Sequence, residues 1–381
     1  MLAEKHNCCG CSACAVVCPK NAIEMRADAE GFFYPQIDME KCINCMKCEK
    51  VCPVINFSNY YKSETLSLCY SGYMEESAEL KSCASGGAAT IISRLAVRKG
   101  CVVFGCRYAD DFSYAYYDCA ENEDMIQKFK SSKYIQSRKG SVFRQIRTLL
   151  NEDQIVLFIG LPCDVAGLLA FLGKDYDNLY TVDLICHGAT SEKVNEQFIR
   201  MKEEEYDSKV VYFNVREKCE GWVPPYLYMR FENGEVFSEP FYNTEYGVAF
   251  AEFSRKYCYK CAFKGNQRPS DITIGDYWGL KEGEEGWNSD GVSILFVHSE
   301  KGKKLIKTLE CFSIMPQEIE KAQEHNPCYL QPRTSTGRRE RYAKHFVHHG
   351  LVYACKHKLS IKNRIYLMLA RLYHKVFKPQ N

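Results

Sequence analysis

Cys8-Cys9-Gly10-Cys11-Ser12-Ala13-Cys14-Ala15-Val16-Val17-Cys18-Pro19 is the stretch from which the rest of the chain is read. Its register is C-x2-C-x2-C-x3-C-P, on Cys8, Cys11, Cys14 and Cys18, and it recurs at Cys42, Cys45, Cys48 and Cys52-Pro53. Three thiolates two residues apart sit on a tight loop that can wrap three irons of a cube. The fourth must come from elsewhere, and the proline after it turns the chain away because it cannot extend a helix. Soft, negatively charged thiolates suit iron and sulfide. Zinc sites usually pair C-x2-C units about 12–20 residues apart, so this doubled triplet fits zinc poorly. Cys9 falls out of register and reads as a bystander.

One such run is the bacterial ferredoxin signature. Two in tandem make a two-cluster [4Fe-4S] module in which the fourth cysteine of each run ligates the other cluster. Cys8, Cys11, Cys14 and Cys52 are therefore assigned to cluster I, and Cys42, Cys45, Cys48 and Cys18 to cluster II. The module is placed at residues 1–56, with short β-ribbons around Ala22–Met25 and Phe32–Pro35, and the polar residues 57–66 read as a linker.

The 381 residues carry 22 cysteines, fourteen of them beyond the two runs. A disulfide-rich secreted protein is the rival reading. Against it, the N-terminus has no signal-peptide pattern and enters the first motif within eight residues. No apolar run reaches 18 residues, so no membrane span is expected. The thiols then point to a reducing cytoplasm, as in an anaerobe. Net charge is +2, unevenly spread: Gly337–Asn381 holds eleven Lys/Arg against one acid, and the remainder carries 39 basic and 47 acidic residues.

From about residue 66 the pattern changes. Strands are expected over Leu66–Tyr73, Cys101–Cys106, Phe112–Cys119, Ile155–Ile159 and Leu179–Ile185. Helices are expected at Ala88–Arg98, after Ser85-Gly86-Gly87, and over 141–150; Gly160-Leu161-Pro162-Cys163 is a strand-to-helix turn with proline near the helix start. Residues 209–240 look antiparallel, with a hairpin at Glu232-Asn233-Gly234-Glu235. Asp271–Ile274 and Gly291–His298 are further strands, and Gly302–Leu309 a helix. The fold class expected is α+β: a small two-cluster module followed by an α/β flavin-binding domain with a mixed sheet. Ligands bind at the carboxyl ends of such strands, where Cys163 and Cys186 fall.

Several stretches coincide with one family: "SGG" at Ser85–Gly87, "SSKYIQS" at Ser131–Ser137, "IGLPCDVAGL" at Ile159–Leu168, "DLICHG" at Asp183–Gly188 and "CYKCAFKGNQRPSDITIGDYWG" at Cys258–Gly279. With the front module, the chain resembles the family of β-subunits of coenzyme F-420 hydrogenases and dehydrogenases over about residues 1–330. The resemblance implies a flavoprotein in which FAD beside [4Fe-4S] clusters passes electrons between a reduced carrier and an iron–sulfur wire. That family includes chlorophyll-pathway reductases, so the substrate stays open. The domain expectation is 67–330 for the FAD and iron–sulfur domain and 331–381 for a basic extension.

Cys163, Cys186, Cys258 and Cys261 lie in turns beside strand ends, and four such thiols suit a third [4Fe-4S] cluster. Buried cysteine also acts as a small hydrophobe, which accounts for Cys69, Cys101, Cys106, Cys119 and Cys311; Cys83 reads as a filler. Ser85, Gly86 and Gly87 at a helix start would present N–H groups to a pyrophosphate, or serve only as a cap. Lys133, Tyr134 and Gln136 suit isoalloxazine or ribityl contacts, or an exposed loop. Asp271, Gly275 and Asp276 either hold the cofactor or cap a turn. Ile361, Ile365, Leu369, Leu372, Tyr373 and Val376 share a helical face in the basic tail, which fits the inner surface of a membrane, a partner or the acidic body. No nucleic-acid recognition motif accompanies the charge.

The leading expectation is an iron–sulfur flavoprotein oxidoreductase serving a small-molecule carrier or substrate and a ferredoxin or partner subunit, with no acid–base pair to name. An electron-transfer adaptor without flavin chemistry, as in surface-polysaccharide assembly, is the second reading. A structural iron–sulfur or zinc scaffold is the third.

Overall fold

In the computed structural model, which describes residues 2–56 and 68–358, the apolar runs beyond the module lie side by side. The strands are β1 (Ile23–Ala27), β2 (Phe33–Ile37), β3 (Leu68–Met74), β4 (Val102–Tyr108), β5 (Ala115–Ala120), β6 (Val156–Gly160) and β7 (Leu179–Leu184). They continue with β8 (Val210–Glu217), β9 (Tyr226–Phe231), β10 (Val236–Pro240), β11 (Ile272–Asp276), β12 (Ser293–Val297) and β13 (Phe312–Pro316). One eight-stranded sheet has the order β13-β3-β12-β11-β7-β6-β4-β5. Its four middle strands, β11, β7, β6 and β4, are parallel, and antiparallel strands close both sides.

The parallel strands read as near-continuous apolar runs because both faces are covered. Alternation sends Val103 and Leu157 to one face, against Ile91, Ile92 and Leu95 of the helix Ala88–Arg98. Val102, Phe104, Val156 and Phe158 face the other way, against the helices Val142–Asn151 and Pro162–Leu172. On this second face sits the module: Ala13 and Val16 join the same core. Gly167 has no side chain where Cys11 presses in; a Cβ there would lie 2.7 Å from the Cys11 Cβ.

A second core gathers around the three-stranded sheet β10-β9-β8 and the helices Glu192–Tyr206, Glu245–Glu252 and Arg339–Lys356. Phe32 of the module is fully buried in it, 5.3 Å from the Phe253 ring; burying a phenylalanine contributes about 1.5–3 kcal/mol. Thus the module is held by both cores. The Arg339–Glu30 ion pair and an Arg144 Nε donation to the Val16 carbonyl at 2.9 Å add polar ties.

The strand expected at Phe112–Cys119 starts later, because Asp111 accepts from the Ser113 N–H and hydroxyl and Phe112 takes a left-handed φ of +57°. The helices Glu192–Tyr206, Glu245–Glu252 and Arg339–Lys356 and the strand β13 were not expected. The chain past 330 continues into the second core through Tyr342 and Phe346. The linker at 57–66 and the face from Ile361 to Val376 lie outside the described residues.

Candidate iron–sulfur and cofactor site

The two cysteine runs fold as crossed sets. Burial pushes the Cys14 thiol up, and Cys11, Cys8 and Cys52 push it further, so these four thiols share one electrostatic neighbourhood. Cys48, raised first by burial, instead feels Cys45 and Cys18. Ala22 donates its N–H to the Cys18 sulfur at 3.3 Å. The cluster I cysteines are buried or half-buried, whereas Cys45 of the second set is exposed.

The other four candidate thiols come together. β6 ends at Gly160 and Pro162 starts a helix, which places Cys163; β7 ends two residues before Cys186; Cys258 and Cys261 flank the turn Lys256–Lys260. All four line one cavity enclosing about 580 Å³ of unfilled space, its mouth included, with Pro162, Tyr257 and Phe263 as apolar wall. Burial raises Cys186 and Cys258, and takes Cys261 to about 12; Cys163 adds to the rise in each, while Lys264 opposes it. Lys264 is held by the Cys186 carbonyl and, at 2.7 Å, by the Cys328 carbonyl. Gly188 donates its N–H to the Cys186 sulfur at 3.3 Å.

The donor set suits a cube: four thiols, buried, with a cation and an N–H aimed at sulfur. Among the described residues no three ligating side chains converge closely enough for a single ion. Mononuclear zinc needs each sulfur about 2.3 Å from one point, whereas a cube gives each thiolate its own iron and spreads the ligands.

Cys9, set aside as a bystander, lines this cavity too. Hydrogen bonding to Cys11 and Cys163, with burial, pushes its thiol well up, and the same bond lowers Cys11. It therefore sits between cluster I and the interior set. The fully buried ion pair Lys139–Asp164 at 2.9 Å backs the Cys163 turn. Only spatial adjacency brings Cys9, Arg255 and Lys264 here, and no local pattern announced it.

The nine flavin candidates divide. Asp276 ends β11 and takes a two-pronged ion pair from Arg216 at 2.9 and 2.6 Å. Arg216 also donates to the Tyr134 hydroxyl at 3.2 Å, and Trp222 Nε1 to Asp276 at 2.9 Å. Trp222 stacks on the half-exposed Trp278 at 5.1 Å and 6°. The Ser85 hydroxyl donates to the Gly275 and Val292 carbonyls at 3.2 and 2.8 Å. Tyr134, Ser85, Gly275 and Asp276 thus share one edge of the sheet.

The others serve elsewhere. The N–H groups of Gly86 and Ala88 already donate to the Ser293 hydroxyl at 2.9 and 3.4 Å, and a Cβ on Gly86 would lie 2.2 Å from the Gly72 carbonyl oxygen. Gly87 supplies a left-handed φ of +80° at the helix start. Lys133 turns back into its own loop, its ammonium held by the carbonyls of Lys128, Phe129, Lys130 and Ser131, and burial lowers its pKa to about 8. Gln136 belongs to the cysteine cavity. Asp271 precedes β11, at the end opposite to Asp276, and ties Thr181 to Ser299.

Comparison with known proteins agrees with this division. Residues 153–319 match the family described as the C terminus of the coenzyme F420 hydrogenase/dehydrogenase beta subunit, and residues 7–56 match a 4Fe-4S dicluster domain. One subunit of the F(420)H(2) dehydrogenase of Methanosarcina mazei is 21% identical over 84% of this chain and 85% of its own length. An uncharacterised protein of Methanocaldococcus jannaschii is 26% identical over 46% of this chain, and only 56% of that protein is spanned. A chain of the F420-reducing [NiFe] hydrogenase complex from Methanosarcina barkeri aligns with a TM-score of 0.47 and 17% identity, covering 71% of this chain and 91% of that one. The chain belongs to the family of coenzyme F420 hydrogenase/dehydrogenase β-subunits and carries an N-terminal two-[4Fe-4S] ferredoxin module.

Proposed function

We propose that this chain is an iron–sulfur flavoprotein oxidoreductase subunit that moves electrons between a two-electron carrier at the β11 edge and a partner protein at the module. When bound, a flavin exchanges an electron pair with a hydride donor and single electrons with iron–sulfur clusters. The chain's own residues hold, insulate and orient. Cys163, Cys186, Cys258 and Cys261 would ligate the third cluster, with Lys264 offsetting thiolate charge inside a wall that keeps water away. Arg216 fixes Asp276, and the exposed faces of Trp278 and Tyr242 offer flat surface for a planar ring.

The observation that carries this reading is the shared wall of the two sites. His187 lines the cysteine cavity, its ring 5.0 Å from Phe250. Phe250 stacks on Tyr134 at 4.3 Å, and the Tyr134 hydroxyl meets Arg216 beside Asp276. On the far side, Cys9 and Cys11 adjoin the same cavity. A carrier site, an interior thiol set and cluster I therefore follow one another through packed side chains.

Anaerobic purification with iron, sulfide and flavin quantitation tests it. About twelve irons and one FAD per chain are expected, three cubes of four irons each. About eight irons without flavin, from a preparation that has lost nothing, would instead support an adaptor. The Ser293 cap on the Ser85–Gly87 motif favours that second reading, since two N–H groups proposed for a pyrophosphate are already used.

A further inference from the structure

Sites that exchange electrons respond to every fixed charge between them, and one cation is buried at the junction of module and main domain. Arg255 is 3% exposed. It lies three residues before Cys258 and lines the cysteine cavity, yet its fork reaches into the module. Nη1 donates to the Cys8 carbonyl at 3.2 Å, Nη2 to the Phe33 carbonyl at 2.6 Å, and Nε to Gln136 Oε1 at 3.1 Å. Gln136 in turn donates Nε2 to the carbonyls of Cys9 and Gly10, both at 3.2 Å. Gly10 must be glycine for this clamp: its φ is +80°, and a Cβ would stand 2.0 Å from Gln136 Nε2 and 2.8 Å from Arg255. These partners are neutral oxygens, so they orient the guanidinium without cancelling its charge, which persists because arginine does not deprotonate in proteins.

The charge reaches two sites and spares a third. Burial raises Cys8 of cluster I and Cys258 of the interior set, and Arg255 opposes the rise in both. At Cys48 of cluster II the opposition comes from backbone N–H groups instead.

We infer that Arg255, clamped by Gln136, is a positioning residue shared by cluster I and the Cys163–Cys186–Cys258–Cys261 site, its charge favouring the electron-rich state of both and leaving cluster II out of reach. This rests on the proposed third cluster. Each reduction adds one electron from the external donor, with no bond made or broken, and the added negative charge interacts with the buried cation more strongly than in water. Net charge and hydrogen bonding around the sulfurs set cluster potentials.

The test is a dithionite titration of the full chain with its clusters in place, followed by electron paramagnetic resonance and read against a Cys45→Ser form that identifies cluster II. Arg255→Met is expected to lower the reduction equilibrium of cluster I and the interior site about tenfold, about 59 mV for one electron. Cluster II should hold its wild-type value, and Arg255→Lys should restore most of the shift. No change, or an equal shift at every cluster, would overturn the inference. If Arg255→Met fails to assemble, Gln136→Glu sets a carboxylate against the guanidinium and should give the same selective drop; its absence in a loaded protein also overturns the inference. Iron for two clusters only would remove the third-site reading, while the cluster I shift would still test Arg255.

Discussion

The outer thiol set, Cys18, Cys42, Cys45 and Cys48, and the interior set, Cys163, Cys186, Cys258 and Cys261, offer the same chemistry in opposite surroundings. The outer set has an exposed thiol at Cys45 and an apolar collar: Met39, Ile43, Met46 and Ile55 are 69%, 56%, 46% and 43% exposed. Solvent-facing side chains of that size around one thiol set suit transient docking of another protein. The interior set is enclosed by aromatic rings, Lys264 and the Lys139–Asp164 pair. The difference teaches a division of labour: one cluster site built for exchange with a partner, the other for insulated passage to the carrier edge.

The largest expected effect comes from opening the interior. Cys258→Ser should remove about four of twelve irons and slow carrier-to-module electron transfer by at least about 100-fold, read by iron analysis and stopped-flow absorbance. An unchanged iron content would make the interior set structural and erase the comparison. Next, Arg216→Met strands Asp276 in a buried position; breaking such a pair costs about 3–5 kcal/mol. A clear drop in melting temperature is expected, along with loss of bound flavin.

Met46→Glu sharpens the other side. On an exposed rim it should leave stability within about 0.5 kcal/mol, yet weaken exchange with an added ferredoxin several-fold; equal rates would mean electrons leave elsewhere. The smallest effect concerns Cys69, a buried thiol that belongs to neither set. Burial raises its pKa to about 12, above the ordinary 9.0. Its contribution to stability is full below pH 9 and is lost as pH climbs towards 12. Cys69→Ala should flatten that alkaline decline in chemical denaturation.

The legible part was the part written locally. Two cysteine runs carry their register within twelve residues each, and the parallel strands reveal themselves as unbroken apolar runs. The interior thiols were readable because each sits in a turn at a strand end. Arg216, Arg255 and Lys264 were not, since a buried cation looks like any surface arginine or lysine until its partners arrive from distant segments. Cys9 was misjudged for the same reason: out of register with its neighbours in sequence, it is in contact with Cys163 in space. Gln136 and Asp271 had the right residue types, but the sheet sends them to the cavity and to the wrong end of β11.

Gly167 bears on how the molecule is made. With Cys11 pressed where its side chain would be, the module cannot close on the helix Pro162–Leu172 until the loop around Cys11 has its final shape. That loop takes its shape from the iron it holds, because the free energy of filling a metal site is also free energy of folding. Manufacture therefore has an order: cluster I is loaded first, the domains latch second, and a chain made without iron should stay open to proteases at the seam.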